Sequence, residues 1–382
     1  MGRNPYFMAV KRQSGAGTDM MTPKENTRKL MSGRLPERVA FHDNIWGETL
    51  VRWVGEGYPV DAHGAPVDPA DHFGYDLLLT GGIDPMPFRG AETVLEESAE
   101  WVVRRNGAGA IHKYWKDKCG APEHVGFDLS GRDVWDAQYR RRLITPDRER
   151  IAFGGLRHLF KKAREQEKFL CCHNPFLWEN MRGMLGDACM LENMCLDPEW
   201  IHDYNRVYTD FYKAHYQLMF DELGCPDGIS ISEDMAYNKG LFCSPAKLRE
   251  LFLPYTREFV DFCHAHGLTV TLHSDGDIRE ALPLIIEAGI DAINPLEAKA
   301  NCRAVDVAGK YAGRLAFKGG LDARILESGD PSLIKKEVAV LVDGMKELGA
   351  RYIFGSDHSV SPKVSYDSFR WAVETYREHM FY

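Results

Sequence analysis

Acidic and histidine side chains follow successive apolar runs in the second half of the chain, and residues of these types can bind metal ions or transfer protons. They are Glu233, Asp234, His273, Asp275, Asp277, Glu297, Asp322, Asp357 and His358. The His-x-Asp pair of His273 and Asp275 offers two metal ligands from one loop. If these side chains converge, their like charges raise one another's pKa unless a divalent cation, a cationic substrate or shared protons neutralise them. The pattern therefore indicates metal-assisted or acid–base chemistry.

Several of these residues also have a structural interpretation. Asp277 and Asp322 stand where an aspartate commonly caps the N-terminus of the next helix. Glu297 could be a carboxylate of a surface loop, and His273 could be a hydrogen-bonded core histidine. The pair at 357–358 could be an acid–base pair or a bracing hydrogen bond. The sequence leaves both interpretations open for each residue.

The elements that must position these side chains follow a repeating pattern. Five apolar, strand-like runs between 228 and 354 each end in polar residues, and helical segments alternate with them. Such alternation predicts right-handed βαβ units and a parallel sheet. A doubly wound nucleotide-binding fold would need a G-x-G-x-x-G turn after an early strand, and the sequence has none there. A (β/α)8 barrel gathers its active site at the C-terminal ends of its strands. We therefore expect an α/β protein with a (β/α)8 TIM barrel.

The rest of the chain predicts how that barrel is extended. Residues 1–21 have no periodicity and are expected to form a flexible N-terminal arm, so that the barrel domain covers 22–382. Thr22 and Glu25 form a capping-box pattern with Pro23 at the first helical position, which predicts a helix start. Residues 47–120 are expected to form helices and a small sheet that cap the core.

Composition excludes several classes of protein. Of 382 residues, 44% are hydrophobic and 27% charged, which is typical of a globular protein rather than a disordered one. No apolar run reaches the roughly 18 residues of a membrane span. A net charge of −9 disfavours nonspecific binding to nucleic acid or anionic membranes. The nine cysteines form no C-x-x-C pair, which predicts a reduced, cytoplasmic protein.

Six motifs in the C-terminal half give a resemblance to a known family. They are ISEDMAY (231–237), FCSP (242–245), LHSDG (272–276), NPLE (294–297), KGGLD (318–322) and GSDH (355–358). Together they resemble the uroporphyrinogen decarboxylase superfamily over roughly 22–380. This superfamily includes the decarboxylases of haem biosynthesis, zinc methyltransferases that serve corrinoid proteins and coenzyme M, and an uncharacterised branch. The resemblance implies a (β/α)8 barrel, in agreement with the strand–helix pattern.

The resemblance implies a methyltransferase that moves a methyl group between a small methylated substrate and a corrinoid protein with the assistance of zinc. Its implied ligands are Glu233, His273 and Asp275, where Asp275 replaces the cysteine of the zinc methyltransferases and so argues against a thiolate-rich site. The remaining implied roles are proton transfer by Asp357 and His358 and substrate contacts by Asp234, Tyr237, Asp76, Glu297 and Asp322. A homodimer is implied by the resemblance only.

Two alternatives are open. The first is a metal-free, uroporphyrinogen-type decarboxylase, in which Asp234 or Asp76 would hold a cationic ring. The chain has only Arg34 and Arg38 near the position of the arginine-rich motif of those decarboxylases, and a mouth crowded with acids is a poor host for a polyanion. The second is a protein that binds a corrinoid or small ligand without turnover. The density of ionisable groups argues against it, because buried charge is costly without a chemical role.

Overall fold

The computed structural model describes residues 20–118 and 122–382, so the predicted arm at 1–21 lies almost wholly outside the described residues. The strands of the described chain are β1 (Ala40–Phe41), β2 (Leu77–Thr80), β3 (Thr93–Glu97), β4 (Trp101–Arg105), β5 (Ala110–Trp115), β6 (Glu123–Phe127), β7 (Phe169–Pro175), β8 (Gly228–Ser232), β9 (Ala236–Tyr237), β10 (Gly240–Leu241), β11 (Thr269–His273), β12 (Ala292–Asn294), β13 (Ala316–Lys318) and β14 (Arg351–Phe354).

The helices surround these strands and alternate with them in the second half of the chain. They are α1 (Pro23–Met31), α2 (Gly47–Gly55), α3 (Pro69–His72), α4 (Arg132–Val134), α5 (Phe153–Glu165), α6 (Leu177–Leu196), α7 (Pro198–Leu223), α8 (Pro245–Leu251), α9 (Leu253–Ala265), α10 (Leu282–Glu287), α11 (Ala304–Tyr311), α12 (Ala323–Glu327), α13 (Pro331–Glu347) and α14 (Tyr366–His379). The capping box at Thr22 and Glu25 is present at the start of α1, as predicted. No helix in the described ranges is both long enough and apolar enough to cross a bilayer.

Eight parallel strands form the central sheet in the order β1-β14-β13-β12-β11-β8-β7-β2. The two outer strands meet where the Asp76 N–H donates to the Phe41 carbonyl at 2.8 Å and the Phe41 N–H donates to the Asp76 carboxylate at 2.7 Å. These bonds nearly close the sheet into a barrel, and the predicted TIM-barrel fold is confirmed.

Small and apolar side chains fill the lower interior of the barrel. Ala40, Ala292 and Ala316 lie there beside Phe169, and Leu30 of α1 packs against the same cluster. This packing leaves space for polar side chains only towards the C-terminal ends of the strands. We call the opening at those ends the mouth.

A four-stranded antiparallel sheet, β3-β4-β5-β6, is inserted between β2 and β7. Its strands β3, β4 and β5 lie within 47–120, where a small sheet was expected, and β6 lies just beyond that range. All five residues of its edge strand β3 are exposed. This strand lacks the buried–exposed alternation that makes a strand recognisable in sequence.

Candidate active site at the mouth of the barrel

A cavity of about 490 Å³ opens at the mouth. This volume is within the range of small-molecule sites. Its charged and polar lining residues include His42, Asp43, His273, Asp275, Asn294, Lys299, Lys318, Asp322, Arg324, Asp357, His358 and Lys363. The prediction that acids crowd the mouth is therefore incomplete, because four basic side chains line the same cavity.

His273 stands at the end of β11 and faces two carboxylates. Its Nε2 lies 3.6 Å from Asp234 Oδ1 and 3.7 Å from Asp275 Oδ1. The Asp275 N–H donates to Asp234 Oδ1 at 3.1 Å, which holds the two carboxylate-bearing loops together. On the other side of the ring, Asn294 Nδ2 lies 3.1 Å from His273 Nδ1 and fixes the orientation of the imidazole.

A second group forms around His358, which follows β14. His358 Nδ1 lies 3.7 Å from Asp275 Oδ1, and His358 Nε2 lies 3.5 Å from Glu297 Oε1. Glu297 also accepts from the Gly276 N–H at 2.7 Å. Burial opposes ionisation of Glu297, but the bonds from His358, Gly276 and Lys299 lower its pKa to about 2. The Glu297 carboxylate in turn raises the pKa of His358.

Asp275 links the two groups. Its Oδ1 is buried between the imidazoles of His273 and His358 and has no hydrogen-bond partner among the described residues. Burial is the main cause that raises the pKa of Asp275, although both imidazoles oppose the shift. We call Asp234, His273, Asp275, Glu297 and His358 the donor cluster.

The donor cluster fits a divalent metal ion. A tetrahedral ion with bonds of about 2.0–2.1 Å to nitrogen and oxygen holds its ligand atoms roughly 3.4 Å apart. The separation of 3.6 Å between His273 Nε2 and Asp234 Oδ1, and the two separations of 3.7 Å from Asp275 Oδ1 to the imidazoles, are close to that value. Two sets of three donors, 234–273–275 and 275–297–358, have all their ligand atoms within 4.8 Å of one another. Nitrogen and oxygen donors without thiolate suit zinc or manganese.

Glu233, a predicted metal ligand, is not brought into this cluster. Its side chain is 2% exposed, and its Oε2 accepts from the Glu179 N–H at 3.1 Å, at the start of α6. The N–H groups of Leu177 and Trp178 also face this carboxylate, although burial raises its pKa well above the usual range. Glu233 thus caps α6, and its neighbour Asp234 is the carboxylate that faces His273.

Asp357 and Asp322 line the cavity but make bracing contacts. The two Asp357 oxygens accept from the N–H groups of Ala298 at 3.0 Å and Ala323 at 2.8 Å. Asp322 caps α12 through the Arg324 N–H at 3.0 Å and pairs with the Arg324 guanidinium. The capping alternative raised for Asp322 is therefore what the structure contains.

Asp76 lies away from the mouth, because it precedes β2 and stands at the N-terminal end of the barrel. It is 1% exposed and pairs with Arg38 at 2.8 and 2.5 Å. Tyr237 lies on β9, beside the loop that carries Asp275, since its carbonyl accepts from the Asp277 N–H at 2.9 Å. The Tyr237 side chain is 45% exposed, and its ring lies 5.5 Å from the Phe242 ring.

Sequence reasoning missed three groups on the floor of the cavity: His42, Asp43 and Lys318. Burial raises the pKa of Asp43 to about 6, and burial together with the Lys318 charge lowers the pKa of His42 well below its usual range. Burial also lowers the pKa of Lys318. All three stand at strand ends, so the rule that found His273 would also have found them. The predicted site contains acids and histidines from the second half of the chain only, whereas His42 and Asp43 lie in the first half and Lys318 is a lysine.

Comparisons with known structures agree with the fold. A methyltransferase from Methanosarcina mazei has a TM-score of 0.68 and 13% identity, covering 94% of this chain and 98% of its own. An endo-β-1,4-xylanase from Gloeophyllum trabeum has a TM-score of 0.41 and 10% identity, covering 61% of this chain and 83% of its own. A D-psicose 3-epimerase from Clostridium cellulolyticum H10 has a TM-score of 0.35 and 13% identity, covering 58% and 80%. At these identities, likeness to the methyltransferase shows a shared fold.

No curated protein matches the chain in sequence. The family model for uroporphyrinogen decarboxylase (URO-D) matches residues 181–379. That segment holds the barrel strands β8 and β11 to β14 and the donor cluster. Because the match covers more than half of the sequence, this chain belongs to the uroporphyrinogen decarboxylase (URO-D) family.

Proposed function

We propose that the protein is a metal-assisted methyltransferase that moves a methyl group between a small methylated substrate and a corrinoid protein. One observation carries the proposal: Asp275 Oδ1 is buried, lies 3.7 Å from each of two imidazoles, and has no hydrogen-bond partner in the part of the chain that the structure describes. A buried carboxylate oxygen without a partner is costly, and a cation bound between these groups would satisfy it. The fold shared with a protein described as a methyltransferase adds support.

The proposed ligands are His273, Asp275 and Asp234. Asp234 takes the role of metal ligand that was predicted for Glu233. When bound, zinc would act as a Lewis acid on the methyl-bearing heteroatom of the substrate. Asn294 contacts the His273 ring from the opposite side. With its amide oxygen turned to accept from the Nδ1–H, as outer-shell groups do in metal sites, Nε2 would be free to bind the ion. Tyr237 flanks this side of the mouth and is proposed to contact substrate.

His358 is the proposed proton donor to the leaving heteroatom. The Glu297 carboxylate raises its pKa, so His358 carries a proton at a higher pH than a free imidazole does. Lys299 Nζ lies 3.1 Å from His358 Nε2 and would favour loss of that proton. Asp357 keeps the role of positioning this loop, because both of its oxygens are occupied by backbone N–H groups.

The test measures zinc binding and methyl transfer by the full chain. We expect the purified protein to bind zinc and to methylate free cob(I)alamin from a panel of methoxy, methylthio and methylamino donors. Chelation should abolish this transfer and zinc should restore it, because the heteroatom is not polarised without the ion. Arg279→Met serves as a control, since Arg279 pairs with Asp277, which lies outside the donor cluster, and is about half-exposed.

Absence of zinc binding, or transfer that is indifferent to zinc, would refute the mechanism. Release of carbon dioxide from porphyrinogens by the zinc-free protein would establish the decarboxylase alternative instead. His273→Ala separates both from a non-catalytic binding protein, because only an enzyme loses turnover.

A further inference from the structure

Lys318 extends into the cavity from the end of β13, two strands away from His273. Strand register aligns His273 with Asn294 and Ile293 with Phe317, so Lys318 lies in the same row of the barrel. With a spacing of about 4.8 Å between strands, the Cα atoms of Lys318 and His273 are roughly 10 Å apart. A small molecule can therefore touch both side chains at once.

The Lys318 ammonium has no hydrogen bond or ion pair with any described residue. Its electrostatic neighbours are the Cys171 thiol, whose pKa burial raises to about 12, and the Asp43 carboxylate. Asp43 directs its oxygens elsewhere: Oδ1 accepts from Ser356 Oγ at 2.6 Å and Oδ2 from the Ser356 N–H at 3.0 Å. An ammonium in such surroundings is costly without an anionic partner. Among the described residues, Asp43 acts on Lys318 only through its charge, without a hydrogen bond or ion pair.

His42 adds a second unpartnered group to the same cavity floor. It is 4% exposed, and its Nδ1 has no hydrogen-bond partner among the described residues. Burial and the nearby Lys318 charge keep this imidazole neutral. A neutral imidazole can donate one hydrogen bond from a ring N–H. Lys318 and His42 together present a charged donor and a neutral donor to one ligand.

We propose that Lys318 and His42 form a carboxylate-binding subsite, so that the substrate is a small methylated carboxylic acid. The carboxylate would bind on the cavity floor, and the methyl-bearing heteroatom would reach the donor cluster. A monocarboxylate is favoured over a phosphate because two of the other cations of the cavity, Lys299 and Arg324, are already paired with Glu297 and Asp322. Asp43 and Asp357 also line the cavity and repel further negative charge. The subsite stands independently, whereas the methylated character of the ligand rests on the proposed function.

The test compares two probes of matched shape, methoxyacetate and the neutral 2-methoxyacetamide, with inorganic phosphate as a third. Saturation-transfer NMR and titration calorimetry are carried out on the zinc-free full chain, so that no probe can bind through zinc. We expect saturable binding of methoxyacetate that is about tenfold tighter than that of the amide, as one charged hydrogen bond provides. Phosphate should bind more weakly than methoxyacetate.

Lys318→Met should remove the preference for the acid over the amide, and His42→Phe should reduce it. Lys363→Met is the control, because Lys363 is an exposed lysine on the rim of the same cavity and its loss should change the affinity less than twofold. Lys318→Met should also raise the urea midpoint of unfolding, since it removes a half-buried charge that has no ion pair with any described residue. If that variant does not fold, Lys318→Gln is measured in its place.

Four results would overturn the subsite. They are equal affinity for acid and amide, no saturable binding of either, tighter binding of phosphate than of methoxyacetate, and a preference for the acid that persists in Lys318→Met. Acid binding that depends on Lys318 in a protein that never binds zinc would support the subsite and remove the methyltransferase proposal. Zinc-dependent methyl transfer from neutral donors, with no preference for the acid, would support the methyltransferase proposal and remove the subsite.

Discussion

Replacement of Glu233 tests whether this residue caps a helix or binds a metal. Its carboxylate faces the N–H groups of the first three residues of α6 and is 2% exposed. The first N–H groups of a helix have no partner within the helix itself. Glu233→Ala removes their acceptor, whereas Glu233→Gln keeps one oxygen in place.

The expected loss follows from the number of donors left unpaired. Each buried N–H without a partner costs about 1–3 kcal/mol, and a simple exposed cap is worth about 1 kcal/mol. Entry of water and relief of the buried carboxylate offset part of this loss. We therefore expect Glu233→Ala to reduce the free energy of unfolding by about 3 kcal/mol and Glu233→Gln by about 1 kcal/mol. Urea unfolding followed by circular dichroism measures both values.

Zinc affinity provides the matched comparison. Glu233→Gln should leave zinc affinity unchanged, while Asp275→Asn should weaken it by at least about tenfold, because Asp275 Oδ1 lies at the centre of the donor cluster. The reverse result would refute the reasoning. If Glu233→Gln weakens zinc binding as much as Asp275→Asn does and leaves the free energy of unfolding intact, Glu233 is the ligand that the family resemblance implied.

Three further substitutions have definite expected outcomes. Burial raises the pKa of Asp43 from 3.8 to about 6, so the stabilisation from its bound proton is complete below pH 3.8 and is lost as the pH rises to 6. That loss is about 3 kcal/mol. The free energy of unfolding of Asp43→Asn should therefore rise by about that much, relative to the unsubstituted protein, between pH 3.5 and 7. A difference between the two proteins that stays constant with pH in urea unfolding would contradict this expectation. Asp76→Asn breaks the buried pair with Arg38 and should cost about 3–5 kcal/mol without changing zinc affinity; weaker zinc binding with normal stability would place Asp76 in the site. Glu297→Gln should lower the pKa of His358 in the zinc-free protein, and an NMR titration showing an unchanged or higher pKa would contradict the contact.

The barrel could be predicted because its strands are marked by composition. Runs such as 228–232 and 351–354 are apolar and end abruptly in polar residues, and the observed strands have these same bounds. Interior strands of a parallel sheet are buried on both faces, which produces this signal. The inserted sheet was less visible, because β3 is wholly exposed and its residues follow no burial pattern.

The site was predicted less completely, because strand ends do not specify the direction of each side chain. Successive residues of an extended segment point to opposite sides, so a choice between neighbours requires the local geometry. Glu233 turns towards α6 and Asp234 turns towards His273. A sequence without an alignment contains nothing that separates the two. For the same reason, the sequence is equally compatible with proton transfer by Asp357 and with a structural role in which it accepts hydrogen bonds.

The net charge of the chain did not predict the charges of the side chains that line the cavity. A sum of −9 describes the whole chain, but Coulomb interactions in a partly enclosed mouth depend on the few groups that line it. There, donors for a cation gather around Asp275, while Lys318, which makes no ion pair with any described residue, lies two strands away from β11 and the neutral imidazole of His42 lies four strands away. In the proposed site, Lys318 would hold the carboxylate of the ligand, while a metal ion bound by Asp234, His273 and Asp275 would contact its electron-pair donor. Orientation of the substrate would therefore follow from the arrangement of these groups within the mouth rather than from the acidity of the protein.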